Sequence, residues 1–309
     1  MKFIKVGRLS IALVLFKFCR AVGLADCSKN LAFQLTNLFQ LGEIQNDYGN
    51  CGVDDTGNGF SAGIVNFCTG TGDAWQVIQL YHKATGNDDE FTAYDSILQK
   101  YAEQGDGSTA GIENFCELWK QASKTQAFMD VQNQVVDELY FNPSQNYADS
   151  LNLTLSISRA QLYDTAISHG ASESSNSLGG MIQLTNSRFG RDILGDTTAL
   201  TIGNYKVDEV EWLREFLNVR AGYSVEGDAT NSIYSYTYIL EHGEYMWTDE
   251  ITVLNDKNKE TVISCANSYM PSVSESEASS KDGETSLVPK RVVSSRRAKV
   301  TSSQSTEDE

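Results

Sequence analysis

The sequence predicts a mostly helical domain with one small β element. Apolar residues recur at three- and four-residue spacing along most of the chain. Only three prolines interrupt that pattern. One stretch rich in glycine, threonine and serine, residues 56–72, carries the only convincing strand signal. The 245 residues from 26 to 270 are enough for one sizeable core or two lobes.

The elements follow in order. Leu31, Leu35, Leu38 and Phe39 share a helix face. The 56–72 stretch reads as turn, short strand and turn. Asp73–Lys83 reads as a helix with Ala74, Val77, Ile78 and Tyr81 on one side. Thr71 or Asp73 is placed to cap it and Gly86 to end it. Phe91, Tyr94, Ile97, Leu98 and Tyr101 mark the next helix, and 105–111 is a loop. Phe115, Leu118 and Trp119 begin a longer helical region, which runs to a break at Asn142-Pro143. From Tyr147 to His169 the pattern resumes, with Leu151, Leu155, Leu162 and Ala166 on one face and Gly170 as its stop. A Ser/Gly loop at 171–180, a helix near Met181–Phe189 and another at 208–221 come next. Tyr234–Leu240 and Met246–Val253 read as shorter helices. No internal repeat is visible.

The two ends differ from the middle. Residues 1–25 have the pattern of a secretory signal peptide: Lys2, Lys5 and Arg8, then an apolar run, then Gly23-Leu24-Ala25 as a cleavage site. The run is far shorter than the roughly 20 residues a membrane span needs. Residues 271–309 are rich in Ser, Thr and scattered charge, with too little apolar surface to order themselves. The expected organisation is therefore a signal peptide (1–25), a folded domain (26–270) and a disordered tail (271–309), in a secreted, extracellular protein.

Charge is concentrated in the middle. The whole chain carries −17; the first 25 residues hold +5 and the tail −1, so residues 26–270 hold −21. Such a surface repels nucleic acid and anionic membranes and attracts polycations. Five cysteines lie beyond the leader: Cys27, Cys51, Cys68, Cys116 and Cys265. None has a zinc-ligand spacing. In a secreted chain two disulfides and one free thiol are expected, with the pairing open. Asn152-Leu153-Thr154 is an N-glycosylation sequon.

The stretch Gln40 to Asp73 is the informative one. It contains Gly57-x-Gly59-Phe60-Ser61-Ala62-Gly63-Ile64, then Phe67-x-x-Gly70-Thr71-Gly72-Asp73. Further along stand Tyr140-Phe141-Asn142-Pro143, Tyr163-Asp164-Thr165-Ala166 with His169-Gly170, Gly179-Gly180, and Trp212-Leu213-x-x-Phe216-Leu217-x-x-Arg220. In order and spacing this set resembles glycoside hydrolase family 46, the chitosanases, over about residues 30–265. The resemblance implies a mainly α, two-lobed, lysozyme-like α+β fold, with a small β-sheet in one lobe and a cleft between lobes. It implies endo-hydrolysis of β-1,4-linked glucosamine in chitosan with inversion, and no metal or organic cofactor. Chitosan or a chito-oligosaccharide is the expected partner, and a monomer the expected state. A polycationic substrate suits the −21 charge independently.

The departures fall on the chemistry. The family's general acid, a Glu closing the first helix, corresponds to Gln40. Its general base, the Asp of Asp-Gly-Arg-Gly, corresponds to Thr56. An inverting glycosidase needs one protonated carboxyl and one carboxylate, about 6.5–9.5 Å apart. Gln has no titratable proton, and Thr is no base near neutral pH. Glu43 is the nearby substitute acid; Asp55, beside Asp54, is the substitute base. Their plain alternative is ordinary loop acids. A catalytically degenerate protein that binds the sugar without cleaving it is the alternative function. By the resemblance Ser61 holds the attacking water, with a structural strand hydroxyl as the alternative. Asp73 contacts the sugar, with a helix cap as the alternative. Asp164 and Arg220 belong to a supporting ion-pair network, or form a purely structural pair. That network's second arginine should fall near 231–235, where none stands.

Overall fold

A computed structural model describes residues 24–223 and 228–267, without the side chains of 228–231. The expected leader, save its last two residues, and the expected tail lie outside the described residues. Helix α1 (Asp26–Gln40) opens the described chain and buries Leu31, Leu35, Leu38 and Phe39, as their spacing predicts. It also buries Asn30, Gln34, Thr36 and Asn37, so it is enclosed on more than its apolar face. Cys27 in its first turn is bonded to Cys265, and Cys51 to Cys116; Cys68 is buried and belongs to neither disulfide. The two-plus-one count is as expected. Closing the long loop between Cys27 and Cys265 stabilises the fold by about 5 kcal/mol in the chain-entropy account.

Strands β1 (Cys51–Val53), β2 (Phe60–Ala62) and β3 (Phe67–Cys68) form an antiparallel meander; β2 and β3 lie inside the 56–72 region, where the sequence predicts one strand, and β1 precedes it. Cys51 lies opposite Ala62, and Ser61 opposite both Gly52 and Cys68. Around it stand α2 (Asp73–Thr85), α3 (Asp95–Gln104), α4 (Phe115–Ala122) and α5 (Gln126–Val136). Their core is aromatic: Phe60 stacks on Phe115 at 5.5 Å, Phe91 on Phe128 at 5.9 Å, and Trp119 meets Phe128 edge-on at 4.8 Å. Such pairs add about 0.5–1.5 kcal/mol beyond the area they bury. Gly86 at φ 70° ends α2 as predicted, but its start differs: Gly72 holds the cap position and no side chain caps it.

The run from α5 does not break at Asn142-Pro143. Asp137–Phe141 wind as a π-helical turn straight into α6 (Asn142–Leu151). Pro143 is the second residue of α6, directly after the π turn, and such a local change of winding is where a helix accommodates proline. The pattern from Tyr147 to His169 proves to be two helices, α6 and α7 (Ser156–His169), separated where Asn152 turns at φ 58°. Helices α8 (Leu178–Ser187), α9 (Glu209–Ala221) and α10 (Asp228–Glu241) follow.

Two hairpins go beyond the sequence reading: β4 (Ala199–Ile202) with β5 (Tyr205–Asp208), and β6 (Glu250–Leu254) with β7 (Glu260–Ser264). Met246–Val253 is thus not a helix; its second half belongs to β6. A four- or five-residue strand buries two side chains, no more than one helical turn does, so periodicity cannot separate the two.

The molecule is mostly helical and two-lobed. The meander with α2–α5 makes one lobe. The other packs α1, α7 and α10 together, with α1 also against β6 and β7. The α5–π–α6 run passes between them. No helix of the described residues is long and apolar enough to cross a membrane.

Candidate active site

The turn between β1 and β2 is closed by its own acid. The Asp54 N–H donates to Gly59 O at 2.8 Å, and the Gly57 N–H to Asp54 O at 3.1 Å. Asp54 Oδ2 accepts the Asn58 N–H at 2.9 Å and the Thr56 hydroxyl; Asn58 Nδ2 donates to Thr56 Oγ1 at 2.6 Å. Asp54 and Thr56 are therefore both committed to the turn. Asp55 between them is exposed, and its side chain makes no hydrogen bond. The 105–111 loop lies backbone to backbone on this turn: a Cβ at Gly107 would collide with the Gly57 carbonyl oxygen.

Gln40 is the last residue of α1 and half-buried. Its backbone carbonyl accepts Asn66 Nδ2 at 2.9 Å, and its side-chain Oε1 lies 3.5 Å from the same nitrogen. Asn66 stands in the β2–β3 turn at φ 56°, and Asn50 Nδ2 donates to its Oδ1 at 3.0 Å. The chain leaves α1 through Gly42, at φ 76°, to Glu43. Glu43 is exposed and borders a cavity of about 270 Å³ with Leu41, Gln45, Asn46, Asp47 and Asn50.

Ser61, in the middle of β2, is half-exposed with no side-chain partner. Its neighbour across the sheet, Cys68, donates its N–H to Asp73 Oδ1 at 2.8 Å. That oxygen also accepts Thr71 Oγ1 at 2.5 Å and the Ala74 N–H at 3.1 Å, while Oδ2 accepts the Tyr140 hydroxyl at 2.8 Å. Asp73 is 8 % exposed. Its carboxylate ties the meander and α2 to the π turn.

On the other side of α1 lies a buried charge pair. Arg220 Nη1 meets Asp164 at 2.7 Å, with the two side chains 0 % and 2 % exposed. Thr36 Oγ1 donates to Asp164 Oδ1 at 3.0 Å and Ser232 Oγ to Oδ2 at 2.6 Å; Arg220 Nη2 donates to Ser168 Oγ at 3.3 Å. Thr36 stands one helical turn before Gln40, so the network and Gln40 share α1 as their common support. Burial, with the Asp164 charge added, pushes the nearby Tyr236 hydroxyl well above its ordinary pKa.

Two structural groups therefore converge on α1: the meander with its turns at the end of the helix, and the ion pair along its side. The family model for glycosyl hydrolase family 46 matches residues 34–236, which takes in both. The chain belongs to glycosyl hydrolase family 46. A chitosanase of Bacillus subtilis (strain 168) is 33% identical over 202 residues, covering 65% of this chain and 68% of that protein. The native chitosanase of Bacillus subtilis MY002 superposes with a TM-score of 0.68 at 27% identity, over 78% of this chain and 100% of that one. The Gynuella sunshinyii family 46 chitosanase, solved as a complex with chitotetraose, gives 0.68 at 27%, over 78% and 98%. By family, then, this is a chitosanase-type glycoside hydrolase.

Within this family-46 chain, sequence reasoning reached Asp164 and Arg220, which do meet. It missed Thr36, Ser232 and Asn66, whose partners are distant in sequence. Only Asn66 carries a local signal: asparagine tolerates a positive φ better than most residues. No cluster of metal-ligating side chains occurs among the described residues.

Proposed function

We propose that this family-46 protein works outside the cell, taking β-1,4-linked glucosamine chains, chitosan or chito-oligosaccharides, and holding them without efficient cleavage. One observation carries the reading. At the end of α1 stands a neutral amide, Gln40, whose backbone carbonyl accepts Asn66 Nδ2 and whose Oε1 lies 3.5 Å from that nitrogen, where the resemblance calls for a proton-donating carboxyl. Thr56, at the position of the base, is bonded into its own turn. General acid and base contribute about 10²–10⁴-fold each, so losing both leaves little turnover. The exposed acids Glu43, Asp47 and Asp55 suit a ligand bearing ammonium groups. Two disulfides suit an oxidising compartment.

A second reading, inverting hydrolysis, is favoured by Glu43 and Asp55. Both are exposed and neither side chain is engaged in a hydrogen bond, which leaves them free to serve as acid and base. Incubating the protein with soluble chitosan and counting new reducing ends separates the two. Salt-sensitive binding without new ends supports the first. Turnover abolished by Glu43→Gln supports the second. Neither binding nor turnover sinks both.

A further inference from the structure

The contact between Asn66 and Gln40 fixes which way an amide faces. The backbone carbonyl of Gln40 can only accept a hydrogen bond, so the Asn66 atom 2.9 Å from it must be the Nδ2 donor. The opposite end of that amide, Oδ1, then receives Asn50 Nδ2 at 3.0 Å, which is consistent. With Nδ2 fixed, its second proton faces the Gln40 side chain, where Oε1 lies at 3.5 Å. A donor there favours the Gln40 oxygen over its NH₂ group. The Gln40 oxygen is therefore turned inward and its NH₂ group outward, at a half-exposed position where no protein acceptor meets it. Asn66 does this from φ 56°, a left-handed backbone that asparagine tolerates better than most residues.

We infer that Asn66 is a positioning residue: it holds the Gln40 amide outward as a hydrogen-bond donor to an oxygen of the bound sugar. The ligand atom facing Gln40 is thus a hydroxyl, ring or bridging oxygen and not an ammonium group. The ammonium groups are left to the carboxylates. The inference rests on reading this end of α1 as the sugar site, and its test separates the two.

Calorimetric titration of the full chain with a soluble glucosamine hexamer at low salt is the experiment. Asn66→Gly keeps the positive φ and removes the amide; affinity falls about tenfold, the worth of one well-made hydrogen bond. Gln40→Leu loses about as much. The double variant binds no worse than Gln40→Leu alone, because Asn66 acts through Gln40. Asn66→Asp keeps shape and turn preference but offers only acceptors; it turns the Gln40 amide round and loses as much as Asn66→Gly. A merely structural Asn66 would give losses that multiply in the double variant, or none, and either result overturns the inference. If the unaltered protein binds no hexamer, the sugar reading falls. The orientation is then judged on the ¹⁵N-resolved side-chain amide signals of Gln40, which must shift in Asn66→Gly; unchanged signals overturn it.

Discussion

Along α1, Asp164 and Arg220 meet at 2.7 Å with almost no exposure. In the other lobe, the Asp54–Asn58 turn leaves Asp55 exposed and Asp54 only half-buried. The two regions tolerate change very differently. Removing one member of a buried pair strands the other as an uncompensated charge. Changing an exposed turn residue disturbs little more than local hydrogen bonds. The supporting pair is therefore held in place by folding itself, whether or not the site turns over. On the proposed reading, positions 40 and 56 would carry the chemistry and have no such restraint. A neutral hydroxyl, Ser232, also donates to Asp164 at 2.6 Å, and the Asp164–Arg220 pair is already electrically balanced.

The contrast can be broken by substitution. Arg220→Met should cost about 3–5 kcal/mol in denaturant unfolding, by leaving Asp164 alone, and Asp164→Leu in the same chain should recover most of it. A loss under 1 kcal/mol would mean that water reaches Asp164.

His82 tests the same rule where the charge titrates. Its ring lies between Asp89 at 2.6 Å and Asp95 at 2.9 Å. Burial lowers its pKa, but the hydrogen bonds to Asp89 and Asp95 outweigh that and raise it. The stabilisation is complete below the unfolded value of about 6.5 and is lost as pH rises through the raised folded value. Melting temperature should fall across that window in the unaltered protein and stay flatter in His82→Gln. Parallel curves would show that the ring is not charged between the two acids.

On the permissive side, Asp54→Ala should cost about 1–2 kcal/mol, from the bonds to Asn58 and Thr56. Gln40→Glu with Thr56→Asp should cost a comparable amount, because a carboxylate at position 56 cannot donate to Asp54 as the Thr56 hydroxyl does and repels it. That double variant should nonetheless raise or create release of reducing ends from chitosan; inertness would show that the cleft has changed beyond those two residues.

Much of the helical frame was legible because amphipathic spacing is a local property. α1, α2 and α9 stand where their apolar residues placed them. The hairpins at 199–208 and 250–264 were not legible, since so short a strand leaves the same trace as a helical turn. The π turn was hidden because Pro143 reads as a stop, whereas the helix continues through it with the π turn directly before it. In the site, Asp73 read as a cap or a sugar contact; its bond to Tyr140, 67 residues away, makes it a tie between the meander and the π turn.

By itself the sequence determined the family, the acidic character, the helical frame and the count of two disulfides with one cysteine outside them. All of these follow from residue order, composition and spacing along the chain. Only the tertiary structure decided which cysteines pair, that Ser232 and Thr36 complete the environment of Asp164, and that Asn66 holds Gln40. Those contacts join residues 26 to 238 positions apart. Which of many chemically equivalent hydroxyls, amides or thiols meet at such separations is settled by how whole helices pack, and nothing local to either partner records it.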